Sequence, residues 1–260
     1  MNPAAAPLER GLVRERLWVG AGLGLAVAAC WAWLVPLALD MQGAMTGSAA
    51  WMMRADWDAV YFVAIFGMWV AMMIGMMLPS AAPTLLLYAT VVRKSPEAGD
   101  AVPRVYAFAA GYVLVWSGFS LLATILQWGL ARRALLSPMM QAVSPQLGAS
   151  LLCLAGLYQL TPWKRACLAQ CRAPAVWISA HWRRGLAGAL RMGLHHGAYC
   201  LGCCWALMLL LFAGGVMNLV WIGAITLFVL LEKLAPHGAQ GGRLSGALLI
   251  VCGAARLLAG

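Results

Sequence analysis

The residues best suited to chemistry in this chain are cysteine, histidine and methionine side chains that recur at helical spacing between positions 195 and 208. His196, Cys200, Cys204 and Met208 lie four residues apart, and Cys203 lies beside them. Residues at i and i+4 share one face of a helix, so this spacing predicts a single stripe. All of these residue types bind metals. A sulfur-rich set favours soft ions, with Cu(I) as the first choice and Zn(II) as the second.

Three further side chains extend this cluster. His195 precedes the stripe, and Cys167 and Cys171 form a second pair that would share one face of a helix. The lysine and arginine residues around this pair are expected to lower the pKa values of the two thiols and to favour thiolate. A lone cysteine in a membrane helix is usually a small packing residue, which is how we interpret Cys30 and Cys252. Five cysteines so close along one chain indicate a metal or redox site instead.

A second sulfur cluster consists of methionines. Met72 and Met76 are four residues apart, as are Met73 and Met77, and two prolines follow shortly after. Thioethers bind Cu(I) without losing a proton, although methionine also fills irregular gaps in protein cores. Broken transmembrane helices often line binding sites. The prolines therefore favour ligation by these four methionines over simple packing.

Glu232 is the remaining candidate ligand. An acidic side chain this close to a membrane interior is costly and is often functional. It could bind the metal, accept a proton or form an ion pair at the end of its helix with Lys233. The sequence leaves these three roles open.

The elements that must position these side chains are membrane helices. Of the 260 residues, 63% are hydrophobic and only 10% are charged, and the mean hydropathy is +0.83. Soluble proteins carry about 25% charged residues. The sequence therefore predicts an all-α, polytopic transmembrane helix bundle that forms a single integral membrane domain over 1–260. Its seven predicted spans lie at about 17–39, 58–80, 105–130, 146–161, 197–215, 217–235 and 243–259.

Basic residues predict the orientation of this bundle. With the N-terminus inside and the C-terminus outside, 14 of the 18 lysine and arginine residues fall in inside segments, as the positive-inside rule requires. This places the chain in the inner (cytoplasmic) membrane of a bacterial cell. The cysteines would then lie in the inside loop 162–196 or at the inner end of the fifth span. Thiols there stay reduced, which favours a metal site over disulfides.

The motifs above resemble a bacterial family of predicted metal-binding integral membrane proteins, a domain of unknown function. The resemblance covers about residues 60–236. It is carried by MMIGMMLPSAAP at 72–83, GLYQLTPWKRACLAQCRAP at 156–174, GLHHGAYCLGCCWALM at 193–208, GVMN at 215–218 and EKL at 232–234. The resemblance implies a membrane protein that binds a metal ion, and it leaves the task of that metal open.

Together these features predict a protein that binds a soft metal ion for transport or delivery. Its expected partners are the lipid bilayer, the metal ion and a metallochaperone or metalloenzyme, with no nucleic acid. Two alternatives remain. One is a membrane thiol–disulfide oxidoreductase that cycles Cys203–Cys204 or Cys167–Cys171, and the other is a metal-insertion assembly factor without transport. No nucleotide-binding or hydrolase motif is present, so we expect no enzyme activity, with thiol redox chemistry left open.

Overall fold

The fold is a bundle of α-helices, described here from a computed structural model that covers residues 5–43, 47, 50–53, 56–96, 98–137 and 140–259. Within those residues there is no strand, only an isolated bridge between Leu136 and Ala142. The prediction of an all-α fold is confirmed. The helices are α1 (Ala5–Gln42), α2 (Ala59–Arg93), α3 (Ala101–Arg132), α4 (Pro145–Leu160), α5 (Pro162–Arg172), α6 (Pro174–Ala180), α7 (Gly185–Leu209), α8 (Leu211–Gly214), α9 (Leu219–Leu234) and α10 (Gly238–Ala259).

Five of the helical segments are long and apolar enough to cross a membrane. They are Leu17–Gln42, Ala59–Arg93, Ala101–Arg132, Gly185–Gly214 and Gly238–Leu258. Two of the seven predicted spans instead correspond to α4 and α9, which have 16 residues each. A helix of that length is roughly 24 Å long, whereas the hydrocarbon core is about 30 Å thick. The membrane character is confirmed, and the count of seven spans and the orientation stay predictions.

Side-chain caps start several of the helices. Asp58 accepts a hydrogen bond of 2.7 Å from the Tyr61 amide at the start of α2. Ser144, Thr161 and Asn218 cap α4, α5 and α9 in the same way. Such caps satisfy amide groups that have no partner inside the helix.

Helix α2 continues through Pro79 and Pro83 to Arg93, as the sequence allows. Proline lacks an amide proton, so Pro79 cannot bond to the carbonyl four residues earlier, which belongs to Gly75. The indole of Trp31 on α1 donates to that carbonyl at 3.3 Å. A neighbouring helix therefore satisfies the group that the proline leaves free.

Glycines allow the closest helix contacts. A Cβ atom added to Gly193 on α7 would lie 2.0 Å from the carbonyl oxygen of Phe108 on α3, and one added to Gly111 would lie 2.3 Å from that of Leu190. Helices α4 and α10 meet in the same way at Gly156 and Gly246. Small residues let membrane helices pack backbone to backbone, and α7 is fixed against α3 by this contact.

The segment predicted as an inside loop, 162–196, is largely helical and packed. It contains α5, α6 and the first turns of α7, and α5 runs along α7. Trp177, which could have marked a helix at the membrane interface, is buried against Phe108 and His196. Several basic residues counted as loop charges are buried too, namely Arg104, Lys164 and Lys233. Apolar neighbours and buried partners explain why this segment folds onto the bundle.

Candidate metal centre

The cysteine stripe lies in the middle of a long helix and not at its inner end, which corrects the sequence-based expectation. Helix α7 begins at Gly185, fifteen residues before Cys200. The predicted stripe is confirmed as a buried face, since His196, Cys200, Cys204 and Met208 are all at most 2% exposed. The first turns of α7 are polar and glycine-rich, so their mean hydropathy is low. The span predicted from the sequence therefore begins at residue 197, later than the helix itself, which begins at Gly185.

Four thiols meet at this face. The Sγ atoms of Cys203 and Cys204 both approach the carbonyl oxygen of Cys200, at 3.0 and 2.9 Å. Cys171 on α5 lies close enough to the Cys200 and Cys203 thiols for them to raise its pKa. All eight cysteines of the chain are unbridged. The fold thus joins one residue of the 167/171 pair to the cysteines of α7.

Cys167 lies at the edge of this cluster. A Cβ atom added to Gly202 would lie 2.7 Å from its Sγ. Burial raises the pKa of Cys167, and the Cys203 thiol adds to the effect. Hydrogen bonds to Cys200 and Cys203 raise the pKa of Cys171 well above its usual range, and burial adds to this.

The expectation of lowered pKa values on α5 is therefore wrong. Two of the three basic side chains of that helix, Lys164 and Arg172, have other partners, and the third, Arg165, is exposed. The ammonium of Lys164 is bound to Glu232 at 2.5 Å. The guanidinium of Arg172 donates to the carbonyl oxygens of Glu232, Ala235 and Pro236. Neither positive charge is available to stabilise a thiolate at position 167 or 171.

Lys233 supplies the positive charge of the thiol cluster. Its Nζ lies 2.9 Å from Cys200 Sγ and 2.9 Å from Ser80 Oγ, and the side chain is buried. A buried ammonium is costly unless a negative charge lies beside it. This contact stabilises the thiolate form of Cys200, which is the form that binds metals.

Tyr112 on α3 is the second polar group at Cys200. Its hydroxyl oxygen lies 3.0 Å from Cys200 Sγ and 2.9 Å from the carbonyl oxygen of Met77. The hydroxyl has one proton, so it donates to either the sulfur or the carbonyl. Tyr112 therefore links the α7 cysteine to the methionine segment of α2.

Of the four candidate methionines, Met77 is the one placed at the thiols. Its Sδ lies 3.8 Å from Cys204 Sγ. Met72, Met73 and Met76 are fully buried in the same hydrophobic core. The core position of these three fits packing, and ligation by them stays a prediction.

Glu232 faces away from the cysteines. It pairs with Lys164 across α5, and both side chains are 2% exposed. Its neighbour Lys233 points to the other side of α9, towards Cys200. Successive residues on a helix point about 100° apart, which explains why Glu232 pairs with Lys164 while Lys233 reaches Cys200. The geometry gives Glu232 a structural ion pair, while its role as a ligand stays a prediction.

The two adjacent histidines have different surroundings. His196 is 2% exposed and packs against Trp177, Phe108 and Tyr112. Its Nδ1 atom has no hydrogen-bond partner. His195 is exposed and lies beside His181, with 4.9 Å between the ring centroids.

Sequence reasoning missed the polar residues that surround the thiols. From the sequence, Lys233 is one of the inside charges and a neighbour of Glu232, and neither Tyr112 nor Ser80 is marked as a partner of a thiol. A lysine inside an apolar segment was the available signal for the first. The other two come from distant parts of the chain and have no sequence signal of their own.

No group of three histidine, cysteine, aspartate or glutamate side chains in the described ranges is arranged to hold one metal ion. A sulfur–sulfur contact in this part of the chain joins Cys204 Sγ to Met77 Sδ at 3.8 Å.

Comparison with known families adds an independent finding. Residues 66–256 match a family described as PpoB2, copper chaperone. This chain belongs to the PpoB2 copper chaperone family. The match covers the methionines of α2, the thiol cluster and Lys233, so all the residues assembled above lie inside the family region. No curated protein and no solved structure matches the chain.

Membership in the PpoB2 family supports a copper-related function for this chain. The five apolar helices support a membrane location. Both findings agree with the resemblance to a metal-binding family drawn from the sequence motifs.

Proposed function

We propose that this protein binds Cu(I) at the buried thiols of α7 and delivers it to an acceptor protein. The ligands are two thiolates from the cluster of Cys171, Cys200, Cys203 and Cys204, together with the thioether of Met77. The observation that carries the proposal is the ammonium of Lys233 at 2.9 Å from Cys200 Sγ, inside a cluster of sulfur atoms.

Charge balance favours Cu(I) at this site. Two thiolates and one Cu(I) ion carry a net charge of −1, and the Lys233 ammonium brings the total to zero. Two thiolates and one Zn(II) ion carry no net charge, so the Lys233 ammonium would bring the total to +1. An uncompensated charge in a low-dielectric interior is costly, so Cu(I) is preferred over Zn(II).

Ligand softness and coordination number agree with this choice. Thiolates and thioethers select Cu(I). Structural Zn(II) almost always takes four ligands in a tetrahedron, and no set of even three suitable side chains is arranged for it among the residues described. The site suits an ion that accepts few ligands.

Delivery is favoured over storage by the form of the site. A low-coordinate ion held by two thiolates can be passed on by ligand exchange, in which an incoming thiolate replaces one of them. The family description as a copper chaperone supports the same task. We place the protein in the bacterial inner membrane, with a metallochaperone or metalloenzyme as its partner.

The test is copper binding by the purified full-length protein. We expect wild type to hold stoichiometric Cu(I) by elemental analysis under anaerobic, reducing conditions. The Cys200→Ser, Cys203→Ser, Cys204→Ser triple variant should lose roughly tenfold or more in affinity, since 1.4 kcal/mol corresponds to a factor of ten. Cys252→Ser, an exposed cysteine on α10, is the matched control and should bind as wild type does.

The competing function is thiol–disulfide exchange, for which the closeness of Cys171 to Cys200 and Cys203 is the argument. The same samples distinguish it. If the wild-type protein binds no copper but forms a reversible disulfide that blocks alkylation of these cysteines, copper binding is wrong and the redox function replaces it.

A further inference from the structure

We propose that His181 and His195 form a second, exposed Cu(I) site at the approach to the buried thiols. The proposal rests on the proposed function in taking copper as the cargo. The two imidazole rings come from different elements, since His181 follows α6 and His195 lies on α7. Their centroids are 4.9 Å apart and their planes cross at 73°.

The His181 ring is held in place with one nitrogen available. It stacks on Trp177 with centroids 4.9 Å apart and an interplanar angle of 16°. Its Nδ1 lies 3.0 Å from the Trp177 carbonyl oxygen, which can only accept a hydrogen bond. Nδ1 therefore carries the proton, and Nε2 of the neutral ring keeps its lone pair. This is the usual arrangement of a metal-binding histidine, in which a carbonyl orients the ring.

His195 stands at the head of a face that leads to the thiols. Tyr199 and Cys203 follow it at intervals of four residues, so the three share one side of α7. The Tyr199 ring lies 5.1 Å from the His195 ring. His195 is exposed, Tyr199 is half-buried and Cys203 is buried, so this face runs from the surface to the thiol cluster.

A buried imidazole lies between the surface pair and the thiols. His196 packs edge-on against Trp177, the residue on which His181 stacks, at 4.9 Å. It also precedes Cys200 by one helical turn. Its Nδ1 is buried and without a partner, which costs free energy in a folded protein. A nitrogen atom left free at this point is suited to bind copper in passage.

Positive charge near the His181–His195 pair favours a monovalent ion over a divalent one. Arg183 lies close enough to interact electrostatically with His195, and Arg183 and Arg184 are both exposed. A positive neighbour disfavours a divalent cation more than a monovalent one, because the repulsion scales with the charge. Imidazole binds copper well, so Cu(I) is the ion that this pair accepts at the lowest electrostatic cost.

The rate of copper release tests the role of the pair. The full-length protein in lipid nanodiscs is loaded with Cu(I) and mixed with the soluble Cu(I) chelator bathocuproine disulfonate. In His181→Gln, His195→Gln the transfer should be slower by roughly a factor of ten, with the copper bound at the thiol cluster unchanged. His237→Gln, at an exposed histidine before α10, is the control and should transfer copper at the wild-type rate. An unchanged rate in the double variant, or loss of the copper bound at the thiol cluster, would overturn the proposal.

A direct measurement separates this site from the thiol cluster. X-ray absorption of the Cys200→Ser, Cys203→Ser, Cys204→Ser variant with added Cu(I) should show nitrogen ligands, and these should vanish when His181→Gln and His195→Gln are added. Retained sulfur coordination at the wild-type level would contradict the proposed function and not the histidine site. Absence of nitrogen-bound copper in the triple variant would contradict the histidine site alone.

Discussion

A buried lysine defines the electrostatics of the thiol cluster. Lys233 lies at hydrogen-bonding distance from Cys200 and Ser80, and the only other lysine with a buried side chain among the described residues, Lys164, is neutralised by Glu232. The two lysines are therefore not equivalent. Lys164 completes a structural ion pair, whereas Lys233 is paired with a sulfur atom that a metal can bind.

Removing the Lys233 charge should weaken copper binding without removing a ligand. We expect Lys233→Met to lower Cu(I) affinity by roughly 10–100-fold, the range found for groups that support metal ligands. Competition with a Cu(I) chelator measures this effect. Lys233→Arg, which keeps the charge, should retain more of the affinity than Lys233→Met; equal affinities in the two variants would show that the charge does not matter.

Backbone contact between helices positions the cysteine stripe. Helix α7 can approach α3 only because Gly193 and Gly111 lack side chains. Helix α2 brings Met77 and Ser80 to the same place, and the indole of Trp31 satisfies the carbonyl freed by Pro79. The site is thus assembled from five helices, α2, α3, α5, α7 and α9.

A methyl group at Gly193 should separate α7 from α3. We expect Gly193→Ala to destabilise the fold by about 1–3 kcal/mol, the usual cost of overpacking, because the added Cβ would lie 2.0 Å from the Phe108 carbonyl. Thermal unfolding in detergent measures the change. Gly118→Ala on α3, where nothing lies within 4 Å of the added Cβ, is the control and should unfold at or slightly above the wild-type temperature, because alanine favours a helix more than glycine does. A Gly193→Ala variant as stable as this control would contradict the close contact.

At the scale of the whole molecule, the short helix α4 decides on which side of the membrane α7 begins, and α4 and α9 together decide the number of spans. If both cross the membrane, the chain has seven spans and the segment 181–184 lies inside. If neither crosses, the chain has five spans and the same segment lies outside. The C-terminus lies outside in both cases, so its position does not separate the two topologies.

Basic residues favour the first topology. The segment from Lys164 to Arg184 holds five lysine and arginine residues, and such segments stay in the cytoplasm. We predict that a reporter inserted after Arg184 has cytoplasmic activity, as judged with paired fluorescent-protein and alkaline-phosphatase fusions. Phosphatase activity at this position would mean that α4 does not cross the membrane, and it would place the His181–His195 pair on the outer side.

The sequence by itself determined the class of the protein and the type of its ligands. Composition alone distinguishes this membrane protein from a soluble one. A soluble fold of 260 residues could not bury a chain that is 63% hydrophobic. The i, i+4 spacing of His196, Cys200, Cys204 and Met208 is a local property of a helix, so it predicted the buried stripe. The preference of sulfur ligands for soft metal ions likewise depends on residue type. It points to copper independently of the family match.

Only the tertiary structure decided which groups meet at the stripe. Cys171, Met77, Tyr112 and Lys233 come from four different helices, and their approach to Cys200 depends on how those helices pack. Packing also assigned Glu232 to Lys164 and left Lys233 to the thiols. Such pairings depend on distances between segments far apart in the chain, which neither residue type nor local spacing encodes.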